Sequence, residues 1–180
     1  MRKRRNGAFR TAVRGAIAGA VGTAVMDLVW FTRFRRSGGK QGLAAWETSQ
    51  SVHKWEDASD PGQVGRRLVE KVTGHEIGDS WARPLTNIVH WTTGLAWGVQ
   101  FGLLSRRSEH HRWVLSALLG PTAWLVSYVI LPLIKVYKPI WKYDARTLVK
   151  DFSAHLAYGS VTATTSAALT RPRFQATSGQ

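Results

Sequence analysis

Residues 84–104, PLTNIVHWTTGLAWGVQFGLL, make a run of 21 positions with one ionisable side chain, His90, and with glycines at 94, 98 and 102. A helix of about 20 residues is what crosses the hydrocarbon core of a bilayer. Gly94, Gly98 and Gly102 fall on one helical face and let another backbone come close, the small-residue packing that membrane helices use where lipid removes the hydrophobic drive. The run predicts a helix buried among other helices, and the rest of the chain must supply them.

Three further runs do so. Residues 12–32, AVRGAIAGAVGTAVMDLVWFT, carry Gly15 and Gly19 as a GxxxG pair and place Asp27 on a second small face with Ala16, Ala20 and Thr23. Residues 113–134, WVLSALLGPTAWLVSYVILPLI, are the most apolar, with Pro121 and Pro132 as expected kinks that neighbouring helices make tolerable. Residues 152–170, FSAHLAYGSVTATTSAALT, are rich in Thr, Ser and Ala, and Gly159 repeats the small-every-fourth pattern. The expected fold is an all-α, integral-membrane four-helix bundle, one transmembrane domain over residues 15–170.

The remaining polarity is segregated between these runs. The basic arm 1–14 holds six bases and no acid, and is expected to be disordered and cytoplasmic. The segment 33–83, with nine bases and seven acids, reads as interfacial, carrying one or two amphipathic helices. Within it, SDPGQVGRRLVEKVTG predicts a helix capped by Asp60, with Pro61 at its first position, Val64, Leu68 and Val72 on one stripe, and Gly74 as its stop. GLAAWETSQSVHKWEDA is a weaker helical stretch carrying Trp46 and Trp55, and residues 171–180 are a polar tail.

A formal net charge of +14 raises the question of nucleic acid, but the bases flank apolar runs and form no single patch. The bilayer and its anionic headgroups are the expected partners, since each juxtamembrane Lys or Arg gains about 1 kcal/mol near such a surface. The absence of cysteine excludes disulfides, thiolate metal sites and thiol nucleophiles. The N-terminal run contains Asp27 and no A-x-A site, so it reads as a retained anchor. Weighting short loops and the first helix favours both termini on the cytoplasmic side.

Four antiparallel spans bring Asp27, Asn87, His90, Tyr128, Asp151 and His155 toward one membrane face. Ionisable groups inside spans are costly and face the bundle interior. Two readings compete for this cluster: a structural network that fixes helix register, and a protonation site with a histidine titrating beside Asp27. A His90, His155 and Asp27 metal set is chemically conceivable, but no HExxH-type spacing backs it, so neither metal nor other cofactor is expected. The glycines pack the chain's own helices or, in the functional alternative, a second copy or a larger complex. Trp30, Trp81, Trp113 and Trp141 read as an aromatic belt, His110 and His111 as solvated, and Glu47, Glu56, Asp57 and Asp60 as a solvated acidic face. No nucleophile arrangement, phosphate loop or dinucleotide fingerprint is present.

GAIAGAVGTAVMD in the first span, NIVHWTTGLAWGVQFGLL in the second and PIWKYDARTLVKDFSAHLAYG leading into the fourth resemble the YagU-like bacterial inner-membrane proteins. The resemblance covers three of the four spans, about half the chain, and omits 33–83. It implies a small helical inner-membrane protein loosely associated with acid tolerance, and supplies no enzymatic activity. The function expected first is therefore non-enzymatic, a structural or accessory membrane component. The alternative is a proton-responsive channel or transporter-like module, and a membrane-embedded metalloenzyme ranks third.

Overall fold

The computed structural model describes residues 2–108 and 111–170; the polar tail 171–180 and His110 lie outside them. The regular structure of the described residues is all helical, without strands, joined by turns and loops. Four long helices, α1 (Arg2–Arg36), α4 (Ala82–Arg107), α5 (Arg112–Leu133) and α6 (Ala145–Thr170), make up the body. Two short ones, α2 (Leu43–Glu47) and α3 (Asp60–Thr73), fill the segment between α1 and α4. Two helices, α1 over Asn6–Arg36 and α5, are long and apolar enough to cross a membrane.

Helix α1 is the hub. It packs between α4 on one side and α6 on the other, and α5 packs on the far side of α6. Its seam with α4 is built from glycine. Methyl groups on Gly15 and Gly19 would each stand 2.5 Å from a backbone carbonyl oxygen, those of Gly98 and Gly94 respectively, and one on Gly102 would meet Gly15 Cα at 3.3 Å. Successive turns of two antiparallel helices therefore touch backbone to backbone. On the other face of α1, a methyl on Gly22 would lie 2.9 Å from Tyr158 O. Gly120 and Gly159 make the corresponding close approach between α5 and α6.

Both ends of the long helices run past the expected spans. The basic arm 1–14, expected to be disordered, is helical from Arg2, because a helix nucleated by the apolar run propagates at little cost. Helix α6 begins at Ala145, well before residue 152, since the Asp144 side chain caps it: Thr147 N–H and Oγ1 donate to its two carboxylate oxygens at 2.9 and 2.7 Å. That donation holds the Asp144 carboxyl below its ordinary value.

In 33–83, α3 starts one residue earlier than expected, with Ser59 at the cap position and Asp60 already helical; Gly74 ends it in the left-handed region at φ +72°. The face buried on α4 is Gly62 and Gly65, seated against Thr86, Leu85 and Val89, whereas Leu68 and Val72 of the predicted stripe are exposed. Small residues win that contact because they let α3 sit close to α4. The stretch 42–58 is not one helix but α2, a turn in which Ser49 takes φ +51°, and a 3₁₀ turn at Trp55–Asp57. Trp55 anchors it: its ring is buried with Val52 and Ala82, and Nε1 donates to Ile77 O at 2.8 Å.

Candidate functional site

Where α1 ends and α6 begins, the long helices separate into a cleft of about 680 Å³. Its walls are the C-terminal half of α1, the first half of α4, the second half of α5 and the start of α6, with α3 at its rim. At the other end Phe101 of α4, Leu119 of α5 and Tyr158 and Ala163 of α6 pack together and close the bundle. The cleft is thus one-ended. Trp30, Phe34, Trp46, Trp97, Tyr137 and Tyr158 give it an aromatic lining, among which Asp27, Asp60, Asp151, His90 and His155 stand as polar groups.

Two histidine–carboxylate pairs occupy it. Asp27 is buried on α1, and Nε2 of His90, one turn above Gly94 on α4, donates to its Oδ2 at 2.8 Å. This contact continues the glycine ladder: each step of four residues along α1 meets one along α4, and the ladder ends in the pair. On α6, His155 Nδ1 donates to Asp151 O at 3.0 Å and stands 3.4 Å from Asp151 Oδ1. Asp151 Oδ2 is sealed from solvent without a hydrogen-bond partner. Arg33 ties the α1 end to α6, donating to Lys150 O and to Ser153 Oγ, each at 2.7 Å, with its guanidinium 4.9 Å from the Trp30 ring centre.

The expected cluster divides in three. Asp27, His90, Asp151 and His155 share the cleft. Asn87 does not line it; its amide donates to Arg83 O at 2.9 Å and Thr48 O at 3.3 Å, fastening the turn after α2 to α4. Tyr128 is not in the lining either, but it faces Asp151 from an aromatic group with Trp124, Tyr137 and Tyr143. Trp30, expected as an interfacial anchor, lines the cleft instead, while Trp81, Trp113 and Trp141 are exposed at the helix ends.

Glu47 belongs to the site although its sequence context read as a solvated face. Trp46 packs on Phe31 and Phe34 of α1, at ring separations of 5.6 and 6.2 Å, and this holds α2 so that Glu47 turns toward Asp27. Burial, and the Asp27 carboxyl beside it, push the Glu47 carboxyl above its ordinary range. Among the described residues the groups that come within metal-ligating reach of one another are Asp27, Glu47 and His90, so His155 takes no part in the set the sequence brought to mind. Asp60, read from the sequence as a helix cap on a solvated acidic face, and Tyr137 also line the cleft. Burial raises the Asp60 carboxyl against an opposing effect of the Tyr137 hydroxyl, and burial and the Asp60 and Asp151 carboxylates raise Tyr137.

The chain matches no protein-family model, and no curated protein or solved structure matches it either. Its site is therefore argued from its own geometry.

Proposed function

We propose that this protein is a four-span membrane module that admits a small solute, protons included, into a cleft open to one face of the bilayer, in the manner of a transporter or channel component. The one-ended cleft with two histidine–carboxylate pairs in its walls carries this reading. Asp151 and His155 stand in its wall with side chains 13 % and 14 % exposed. The Asp151–His155 pair is the proton-handling group of this reading, His155 Nδ1 donating to Asp151 O at 3.0 Å and standing 3.4 Å from Asp151 Oδ1. It is faced by Arg33 and Asp27 from α1, Asp60 from α3, His90 from α4, and Tyr128 and Tyr137 from α5 and the loop beyond.

Embedding in lipid is supported by the outward faces. Val13, Ile17, Val21 and Leu28 on α1 and Leu118, Leu125, Val129 and Leu133 on α5 are all exposed. With both termini inside a bacterial inner membrane, the cleft opens outward. Kinship with the YagU-like proteins is part of the same proposal. The other reading is a structural or accessory component acting through helix packing with itself or a larger membrane assembly; Gly15, Gly19, Gly94, Gly98, Gly102 and Gly159 are taken up by contacts within the chain, so such packing would use other faces.

Reconstitution of the full chain into vesicles with an entrapped pH dye tests the proposal. A pH step should equilibrate faster than in empty vesicles, and His155→Ala and Asp151→Asn should each slow it. Equal rates for the two variants and the unaltered protein would sink it. A carboxy-terminal reporter active only outside would reverse the orientation.

A further inference from the structure

One ligand atom from each of Asp27, Glu47 and His90 lies within 4.8 Å of the others, and the three residues come from α1, α2 and α4. With both carboxyls ionised, a single imidazolium leaves the group one positive charge short. The Asp27 side chain is only 7 % exposed, so water screens it little. Glu47 Oε1 is sealed from solvent and accepts no hydrogen bond, a costly state for a carboxylate oxygen. A proton shared between two such carboxyl groups, or a metal ion in its place, offsets this charge.

The spacing suits a metal ion. Around a tetrahedral ion with bonds of about 2.1 Å ligand atoms stand about 3.4 Å apart, and around an octahedral one about 3.0 Å at right angles. Asp27 Oδ2 and His90 Nε2, at 2.8 Å, are close to the octahedral spacing, and the three ligand atoms all lie within 4.8 Å of one another. A second cavity of about 210 Å³ adjoins all three residues, and Ser51, Thr86 and Asn87 line it, giving room and partners for bound water.

We propose that Asp27, Glu47 and His90 bind a divalent first-row transition-metal ion of the zinc or manganese type. Imidazole with carboxylates and no thiolate selects this class over copper(I) and iron–sulfur chemistry. The two carboxylates balance the ion's charge. The Nε2 proton that bonds Asp27 is displaced on binding and leaves to solvent or moves to Nδ1. Three protein ligands leave positions open, as in sites that exchange or activate a bound molecule. The ion also fastens α2 across α1 and α4. This inference rests on the cluster alone and stands whether or not the cleft conducts protons.

Calorimetric titration of the full chain in mild detergent, purified without a histidine tag, with Zn²⁺ and with Mn²⁺ in turn, tests it. One ion per chain is expected, with Glu47→Gln weakening binding by at least the roughly 10- to 100-fold that losing an outer-shell partner costs. Glu47 sits on the short α2 outside the long helices, and circular dichroism confirms that the variant is folded. Asp27→Asn should weaken binding likewise, and His75→Gln, at an exposed histidine, should leave it unchanged. Failure of both ions to bind, binding that survives Glu47→Gln, or equal loss in His75→Gln overturns the proposal.

Discussion

Gly19 of α1 and Gly94 of α4 meet without side chains between them: a methyl group on Gly19 would stand 2.5 Å from the Gly94 carbonyl oxygen and 3.1 Å from Gly98 Cα. Both obstacles are backbone, and neither can rotate away. Gly19→Ala is therefore expected to cost about 1–3 kcal/mol by forcing the helices apart. Gly94→Ala should cost less, because the group its methyl meets first is the Thr23 hydroxyl, which a change of rotamer can move. Unfolding midpoints of the two variants in mixed detergent check the ranking; a cheaper Gly19→Ala contradicts it.

Tyr158 fixes α6 to α4 by one hydrogen bond. Its hydroxyl donates to Gly94 O at 2.7 Å, and the ring is buried against Phe101 and Leu119. Tyr158→Phe keeps the packing and removes the donor, so it should cost about 0.5–1.5 kcal/mol. The same unfolding assay measures this, and a variant as stable as the parent would mean that the bond contributes nothing.

Asp60 gives stability a pH dependence of stated sign. Its carboxyl is raised above the ordinary 3.8 by burial, so the folded chain holds that proton more tightly than the unfolded one. Its contribution is then most favourable below pH 3.8 and is lost as pH rises through the folded value. Asp60→Asn should be more stable relative to the parent at neutral pH than at acid pH, with the difference levelling off below 3.8. Thermal midpoints taken across pH 3 to 7 would show it, and parallel curves would count against it.

Asp144 carries the opposite sign. Its carboxyl is lowered from 3.8 by the donations from Thr147, so its contribution is present above that pH and fades as pH falls through the folded value. Asp144→Ala should lower the unfolding midpoint at neutral pH and fray the start of α6, while Asp144→Asn retains most of the cap. Amide exchange at residues 145–148 reports it directly, and unchanged protection there in Asp144→Ala would refute the capping role.

The long helices and the glycines that join them were legible because both are local patterns: an apolar run declares its length, and a four-residue repeat declares a face. The alternating direction expected of consecutive spans then brings Asp27, His90, Asp151 and His155 to one end of the bundle, where they share the cleft. Glu47 was not legible. It reaches Asp27 only because Trp46 stacks on Phe31 and Phe34, a contact between a five-residue helix and α1 that no periodicity announces. Asn87 and Tyr128 stand beside the cleft and not in its lining: Asn87 lines the smaller cavity next to Asp27, Glu47 and His90 while fastening a turn, and Tyr128 faces Asp151 from an aromatic cluster, neither of which the helical spacing announces. Gly120 also escaped notice, since a lone glycine in an apolar run has no repeat to mark it.

Helix α1 lies between α4 and α6, and the glycine seam that seats it on α4 requires a partner 75 or more residues further along the chain, the separation of Gly19 and Gly94. The first of these helices to be synthesised is thus the last to be fully covered. Until α6 emerges, Asp27 and the bare backbone at Gly22 have no wall on that side, and whatever attends the nascent chain must shield them for that interval.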